Sequence, residues 1–409
     1  MHVSVPATHR IWLFAGVALV ALNLRLAVTS VAPLLGVVRA DVGLTPAHAS
    51  VLGALSPLAF SACGLLTTVL ARRIGLERSL ILSLGLAFGG TIGRSFASDP
   101  VGFLVWTTVA MAGLGMGNIL MAPLIKRYFP QRIALVTTTY TLFLVIGQAL
   151  PPVFILSMAN TLGWRTAMGL WAVVAVAAAV PWLATRRWWP RKTAKPVAAN
   201  ATAKTPRPHA RTLWRSPITW GIAGMLGANS MAGYCMMAWL PQLLIDSGMT
   251  PDAGAWYLAV FTVGCLFGAV VVPPLMTRVR HVTPFVIAMP LSWAVGIVGL
   301  LLSPTVGTFW WIAVTRFGDG LFAAAMTLMN LRCRRPETVI MLSGVAQAFS
   351  YLLAAIVSFA FGWIHATTGA WTAPLITLAI AITAIGTTGA WLASRPVMVE
   401  DALVRATDH

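Results

Sequence analysis

The chain has 409 residues, of which 58% are hydrophobic and only 9% charged. Soluble domains carry roughly 25% charged residues, so a water-soluble multidomain enzyme is excluded and a polytopic membrane protein is expected. The formal net charge of +18 would suit a nucleic-acid binder, but the basic residues lie in short clusters between long apolar runs. No nucleic-acid partner is expected. Cys63, Cys235, Cys265 and Cys333 show no paired spacing, which argues against both a disulfide framework and a zinc site.

The first apolar stretch runs from Ile11 to Val38. It is too long for the core of a cleavable signal and lacks a small-residue cleavage site, so it reads as the first membrane span. Crossing about 30 Å of hydrocarbon takes around 20 helical residues. Twelve such stretches follow one another at 11–38, 49–70, 79–97, 101–125, 133–158, 166–184, 216–244, 253–277, 282–302, 305–330, 338–364 and 371–393. Pro33, Pro57, Pro123, Pro273 and Pro290 fall inside them, which helical bundles tolerate. Trp12, Trp182, Trp188, Trp310, Trp311, Trp371 and Trp391 gather near span ends, as an interfacial belt would.

Basic residues set the orientation. With both termini on one side, that side holds 23 Lys and Arg, and the other holds three, Arg39, Arg94 and Arg165. The bias places both termini in the cytoplasm. The segment 185–215 carries nine basic residues and no acidic ones, and reads as a cytoplasmic linker resting on anionic headgroups. It divides a bundle at 1–184 from a second at 216–393, with a cytoplasmic tail at 394–409.

An internal repeat supports that division. Asp41-Val-Gly-Leu-Thr-Pro46 recurs as Asp246-Ser-Gly-Met-Thr-Pro251, an offset of 205 residues, and the same shift maps Arg73 onto Arg278, Gly113 onto Gly318 and Gly115 onto Gly320. Two parallel six-span repeats joined by a long cytoplasmic loop resemble the architecture of major facilitator superfamily transporters, whose halves rock about a midplane site. The fold class expected is an all-α membrane protein of twelve transmembrane helices in two six-helix pseudo-repeats.

Charges within a span are expensive and therefore candidates for function. Three are expected there: Arg25, Arg316 and Asp319. Arg25 lies near the middle of the first span, with no acidic residue in that span. Its planar fork suits a carboxylate-like anion, although it could instead bond backbone carbonyls or reach Asp319. Arg316 and Asp319, three residues apart, share a helical face and read as a structural or gating pair, with Arg316 also a candidate substrate contact. Asp319 is also the single acidic candidate for proton coupling, a role that a neighbouring arginine disfavours. Asn23 and Thr29 in the first span, Asn118 and Tyr140 in the fourth and fifth, Asn229 and Tyr234 in the seventh, and Gln347 and Tyr351 in the eleventh form a second tier of substrate contacts. Each alone is more often interhelical glue. Met231, Met236 and Met237 read as packing, and the glycines of the fourth and tenth spans as close helix contacts.

The stretch Asn23-Leu-Arg-Leu-Ala-Val-Thr-Ser-Val-Ala-Pro33 resembles the first-span signature of the cyanate and 2-nitroimidazole transporter family within that superfamily. Further resemblances are Ala71-Arg-Arg-Ile-Gly-Leu-Glu-Arg78, Gly117-Asn118 with Lys126-Arg127-Tyr-Phe-Pro130, Gly163-Trp-Arg165, Ala238-Trp-Leu-Pro241, and Ala346-Gln347 with Tyr351, in order over nearly the whole chain. The resemblance implies a secondary transporter of a small solute. It makes Asn23 and Arg25 the polar pair of the first span and Gln347 and Tyr351 the polar positions of the eleventh. Leu26 stands where the family pattern has proline, so a straighter first helix is expected. Arg72 replaces the acidic residue of the superfamily's second loop.

The reading is a monomeric inner-membrane secondary transporter of a small anionic solute, cyanate-like or a small carboxylate. It has no catalytic residues, metal or cofactor, and protons are the candidate coupling ion. The alternative is a proton-coupled exporter of a small heterocycle such as a nitroimidazole. A membrane enzyme is disfavoured because no acid–base, metal or nucleophile set shares one depth. A transporter-like sensor is a further alternative. ATP-driven transport lacks its phosphate-binding motif.

Overall fold

The computed structural model describes residues 7–189, 213–279, 282–334 and 336–401. Most of the basic linker, His281 and the tail beyond 401 lie outside the described residues, as do the side chains of Arg72 and Pro273.

Every regular element among the described residues is helical. The first span is α1 (Ala7–Thr29), a 3-10 turn (Ala32–Leu34) and α2 (Leu35–Val42). Then come α3 (Pro46–Ile74), α4 (Leu76–Phe96), α5 (Pro100–Tyr128) and α6 (Ile133–Leu162), followed by the sixth span as α7 (Trp164–Leu170) with α8 (Ala172–Ala184). Beyond the linker lie α9 (Pro217–Asp246), α10 (Pro251–Val263) with α11 (Cys265–Arg278), α12 (Val282–Leu302), α13 (Thr308–Gly318) with α14 (Gly320–Arg332), α15 (Pro336–Thr368) and α16 (Thr372–Ser394). These elements coincide with the twelve expected spans. Ten of the segments are long and apolar enough to cross a membrane on their own. The other two, α3 and α9, have 29 and 30 residues, about 43 Å or more of helix at 1.5 Å per residue. The interior of α9 is diluted by Asn229, Ser230, Tyr234 and Gln242.

The chain divides into two compact units. One draws on Met1–His48 and Ala62–Lys204, the other on Ala49–Ser61 and Thr205–His409. In the first, α4 lies along α5, and α1 along α6 and α8. Glycines set these close approaches. A Cβ on Gly113 would lie 2.6 Å from both the Ala87 nitrogen and the Ser83 oxygen, and one on Gly147 would collide with the backbone of Leu22. In the second unit α9 lies along α15 and α16, and α11 along α14. Gly268 meets the backbone of Gly320 there.

The repeated hexapeptide has a local physical meaning. Gly43 and Gly248 adopt left-handed φ of 75° and 98°, where a glycine is tolerated without strain. Thr45 and Thr250 then cap the following helix, each hydroxyl accepting from the amide three residues on at 3.3 Å. Pro46 and Pro251 fill the first helical position, which has no donor to lose. The motif therefore ends one helix and starts the next within a few residues, once in each unit.

α1 runs unbroken through Leu26, where a proline would have interrupted it, and the first span breaks only after Thr29, ahead of Pro33. Pro33 has no amide hydrogen to bond the carbonyl four residues back.

Candidate functional site

In the first unit, Arg25 is half-buried on α1. Thr29, one turn on, is fully buried and donates its hydroxyl to the Arg25 carbonyl at 3.2 Å. Asn23 is 4% exposed, and its Nδ2 is buried without a hydrogen-bond partner. Tyr140 on α6 donates to Oδ1 of Asn118 on α5 at 3.0 Å. Those two join adjacent helices, the glue role that polar groups play in bundles.

The count of three charges within spans is corrected by Arg94. Assigned above to an outer loop, it lies in the last turn of α4 with no exposed surface. Its guanidinium donates to the Ala27 carbonyl at 3.1 Å and to the Ser30 hydroxyl at 3.0 Å. Both acceptors sit at the interrupted end of α1. A helix end leaves carbonyls unpaired and carries partial negative charge, so Arg94 caps the break that Pro33 enforces. Position near a span end is not a reliable sign of exposure, because a long side chain can turn inward as readily as toward water.

A second group missed from the sequence lies at the other end of the same helices. Glu77, at the start of α4, accepts from Arg127 and from the Tyr128 hydroxyl, both at 2.8 Å. Its side chain is only 5% exposed. The pair locks the start of α4 to the end of α5 and neutralises its own charge.

In the second unit, Tyr234 of α9 and Tyr351 of α15 meet edge to face at 6.1 Å between ring centres. Tyr351 makes a second such contact with Phe60 at 5.9 Å. Ser230 reaches Ser350 across the same two helices at 3.4 Å. Gln347 donates to Ser343 within α15 at 2.7 Å. Asn229 is 9% exposed, with its Oδ1 buried and unpaired. Met231 and Met236 are buried beside them.

Arg316 and Asp319 stand where the tenth span changes from α13 to α14. Asp319 keeps right-handed dihedrals (φ −64°, ψ −19°), but its carbonyl accepts from Phe322 three residues on, so the helix tightens there rather than ending. Nη1 of Arg316 faces Oδ2 of Asp319 at 3.5 Å, a loose pair with side chains 7% and 16% exposed. The guanidinium carbon lies 3.6 Å from the centre of the Phe261 ring and 4.9 Å from that of Trp293. These rings are 6.1 Å apart and meet at an angle, forming an aromatic corner about the cation. The arginine stem fits because residue 264 is glycine: a Cβ there would lie 2.5 Å from Cγ and Cδ of Arg316. Nε and Nη2 of Arg316 are buried with no hydrogen-bond partner. Phe261, Trp293 and Gly264 carry no polar signature, so nothing in the sequence pointed to them.

Among the described residues no group of His, Cys, Asp and Glu could hold a metal ion. Burial pushes the Cys333 thiol, which lies between α14 and α15, up to about 12.

The family model described as Major Facilitator Superfamily matches residues 13–352. The chain is 32% identical over 379 residues to the 2-nitroimidazole transporter of Escherichia coli (strain K12), covering 92% of this chain and 94% of that one. It is 26% identical over 359 residues to the cyanate transport protein CynX of the same organism, covering 86% and 89% of the two chains. Among solved structures it superposes on a D-xylose-proton symporter with a TM-score of 0.73 at 14% identity, covering 96% and 99% of the two chains. It also superposes on the D323A mutant of the nucleoside transporter NupG with a TM-score of 0.74 at 10% identity, covering 93% and 99%. Sequence and fold agree: this multi-pass membrane protein is a transporter rather than an enzyme, and belongs to the Major Facilitator Superfamily.

Proposed function

We propose that the chain is a secondary active transporter of a small anionic solute, working by alternating access in a bacterial inner membrane with both termini in the cytoplasm. The segments 1–184 and 216–393 act as its two six-helix halves. Arg25 is the anchor for the solute, and Asn23, Asn118, Tyr140, Asn229, Tyr234, Gln347 and Tyr351 are its polar surroundings.

The observation that carries the anionic reading is the buried guanidinium of Arg316, which has only one loosely placed carboxylate, Asp319 at 3.5 Å, and leaves Nε and Nη2 unpaired. A guanidinium removed from water favours an anion as its partner, and Arg25, half-buried on α1, adds a second cation within the spans. The relative that carries cyanate in its name supports the same reading.

A second reading is favoured by a different observation. The Tyr234, Tyr351 and Phe60 rings form an aromatic cluster, and the relative at 32% identity is named for 2-nitroimidazole. On that reading the protein exports a flat heterocyclic molecule in exchange for protons, and Arg25 is structural.

Solute-evoked current in proteoliposomes separates the two. Cyanate, small carboxylates and a nitroimidazole would be tested on wild type and on Arg25→Gln at two pH values. The anionic reading expects currents with the anions that vanish in the variant. Silence with every anion, together with flux of the labelled heterocycle that survives Arg25→Gln, would transfer the assignment to drug export.

A further inference from the structure

Arg316 has more donors than the structure uses. A guanidinium presents five N–H groups in one plane, and Nε–H with the neighbouring Nη2–H forms a side-on fork of two parallel donors. In Arg316, Nη1 is engaged by Asp319 at 3.5 Å, while Nε and Nη2 have no partner. The side chain is 7% exposed, so water does not stand in as a free solvent. The indole N–H of Trp293, whose ring lies 4.9 Å from the guanidinium carbon, is also buried and unpaired.

Buried donors without acceptors are rare, because each forfeits its hydration. Arg94 shows that this chain can meet both Nη groups of a buried guanidinium with its own backbone and a serine, leaving Nε alone unpaired. At Arg316 the neighbouring groups include two aromatic rings, a glycine, the Cys265 thiol and one loosely placed carboxylate. The rings offer no oxygen. The complete side-on fork is held in reserve.

We propose that Arg316, with Phe261 and Trp293, is an anion-binding site within the second unit that takes a carboxylate side-on, one oxygen on Nε and the other on Nη2. This rests on the anionic reading above and names its chemistry: a planar two-oxygen anion fits the fork, whereas a linear anion or a halide engages one donor. The apolar body of the solute lies against the aromatic corner. Asp319 holds Nη1 and sets a like charge beside the incoming anion, so it limits affinity at this site.

The test is equilibrium binding of acetate to the purified full-length protein in detergent, with chloride and thiocyanate as single-contact probes. Wild type should bind acetate more tightly than either probe. Arg316→Lys replaces the fork by a point charge and should weaken acetate by about tenfold or more while changing chloride little. Asp319→Asn keeps an acceptor for Nη1 and removes the like charge, so acetate should bind several-fold more tightly. Acetate affinity unchanged in a well-folded Arg316→Lys protein overturns the proposal. Where that variant does not fold, unchanged or weakened acetate binding in Asp319→Asn overturns it equally. Absence of acetate binding in wild type, with cyanate currents intact in proteoliposomes, sinks this site but leaves the transport reading standing. Fork-dependent binding without flux of any anion sinks the transport reading but leaves the site.

Discussion

The two copies of the repeated hexapeptide place an aspartate at the same point, and each aspartate accepts from a tryptophan indole at 3.1 Å, Asp41 from Trp164 and Asp246 from Trp371. The cation that completes each arrangement differs. Asp41 is met by Arg165 at 2.8 Å, which also donates to the Ser95 and Ala97 carbonyls. Asp246 is met by His365 at 4.0 Å, with the imidazole stacked 3.6 Å from the Trp371 ring centre. A guanidinium offers a planar fork that can reach a carboxylate and backbone carbonyls together, whereas an imidazole offers a flat ring that stacks. One scaffold thus serves as a short, multiply bonded tie in the first unit and as a longer, stacked contact in the second.

The buried arginines differ in the same sense. Arg94 meets backbone and serine acceptors, while Arg316 keeps two nitrogens open. Arg94 uses both Nη groups to hold the fold; Arg316 leaves its Nε and Nη2 available. Arg94→Ala sharpens this contrast most. It strips the donors from Ala27 and Ser30 and leaves a cavity, so thermal unfolding in detergent should show a loss of roughly 2–4 kcal/mol. A change under about 0.5 kcal/mol would remove Arg94 from its capping role.

The two aspartates come next. Asp41→Ala removes an ion pair and an indole acceptor, and with side chains 48% and 37% exposed the solvent-screened loss is about 1 kcal/mol. Asp246→Ala should cost less than that, because its histidine stands at 4.0 Å where Arg165 approaches Asp41 to 2.8 Å. Equal melting shifts for the two variants would break the comparison.

The smallest effect is expected at His365. Its Nδ1 faces the Ala370 carbonyl at 3.3 Å, while Nε2 faces Asp246 at 4.0 Å, whose other oxygen accepts from Gln242 at 2.6 Å. His365→Ala should lower the melting temperature of the second unit by the equivalent of a few tenths of a kcal/mol, because the contact it removes is long and Asp246 keeps its Gln242 and Trp371 donors. A loss as large as that of Asp41→Ala would make this histidine a full counterpart of Arg165.

The helical layout was legible because each span must be apolar over about 20 residues, a signal that needs no knowledge of packing. The Asp-x-Gly-x-Thr-Pro repeat was legible as a repeat, and its capping function followed once Gly43, Thr45 and Pro46 were seen together. The pairing of Arg316 with Asp319 was readable from their three-residue spacing. Arg94 was not, since nothing local distinguishes an arginine turned inward at a span end from one turned toward water. Phe261 and Trp293 stayed hidden for the opposite reason: aromatic residues abound in every span, and only tertiary packing brings these two onto a cation.

The most direct measurement pairs Arg94→Lys with Arg316→Lys, recording for each the melting temperature and the anion concentration at half-maximal current in proteoliposomes. The account predicts that Arg94→Lys melts several degrees lower with little change in half-saturation, and that Arg316→Lys keeps its melting temperature but needs about tenfold more anion. Half-saturation moved by Arg94→Lys and untouched by Arg316→Lys would contradict it.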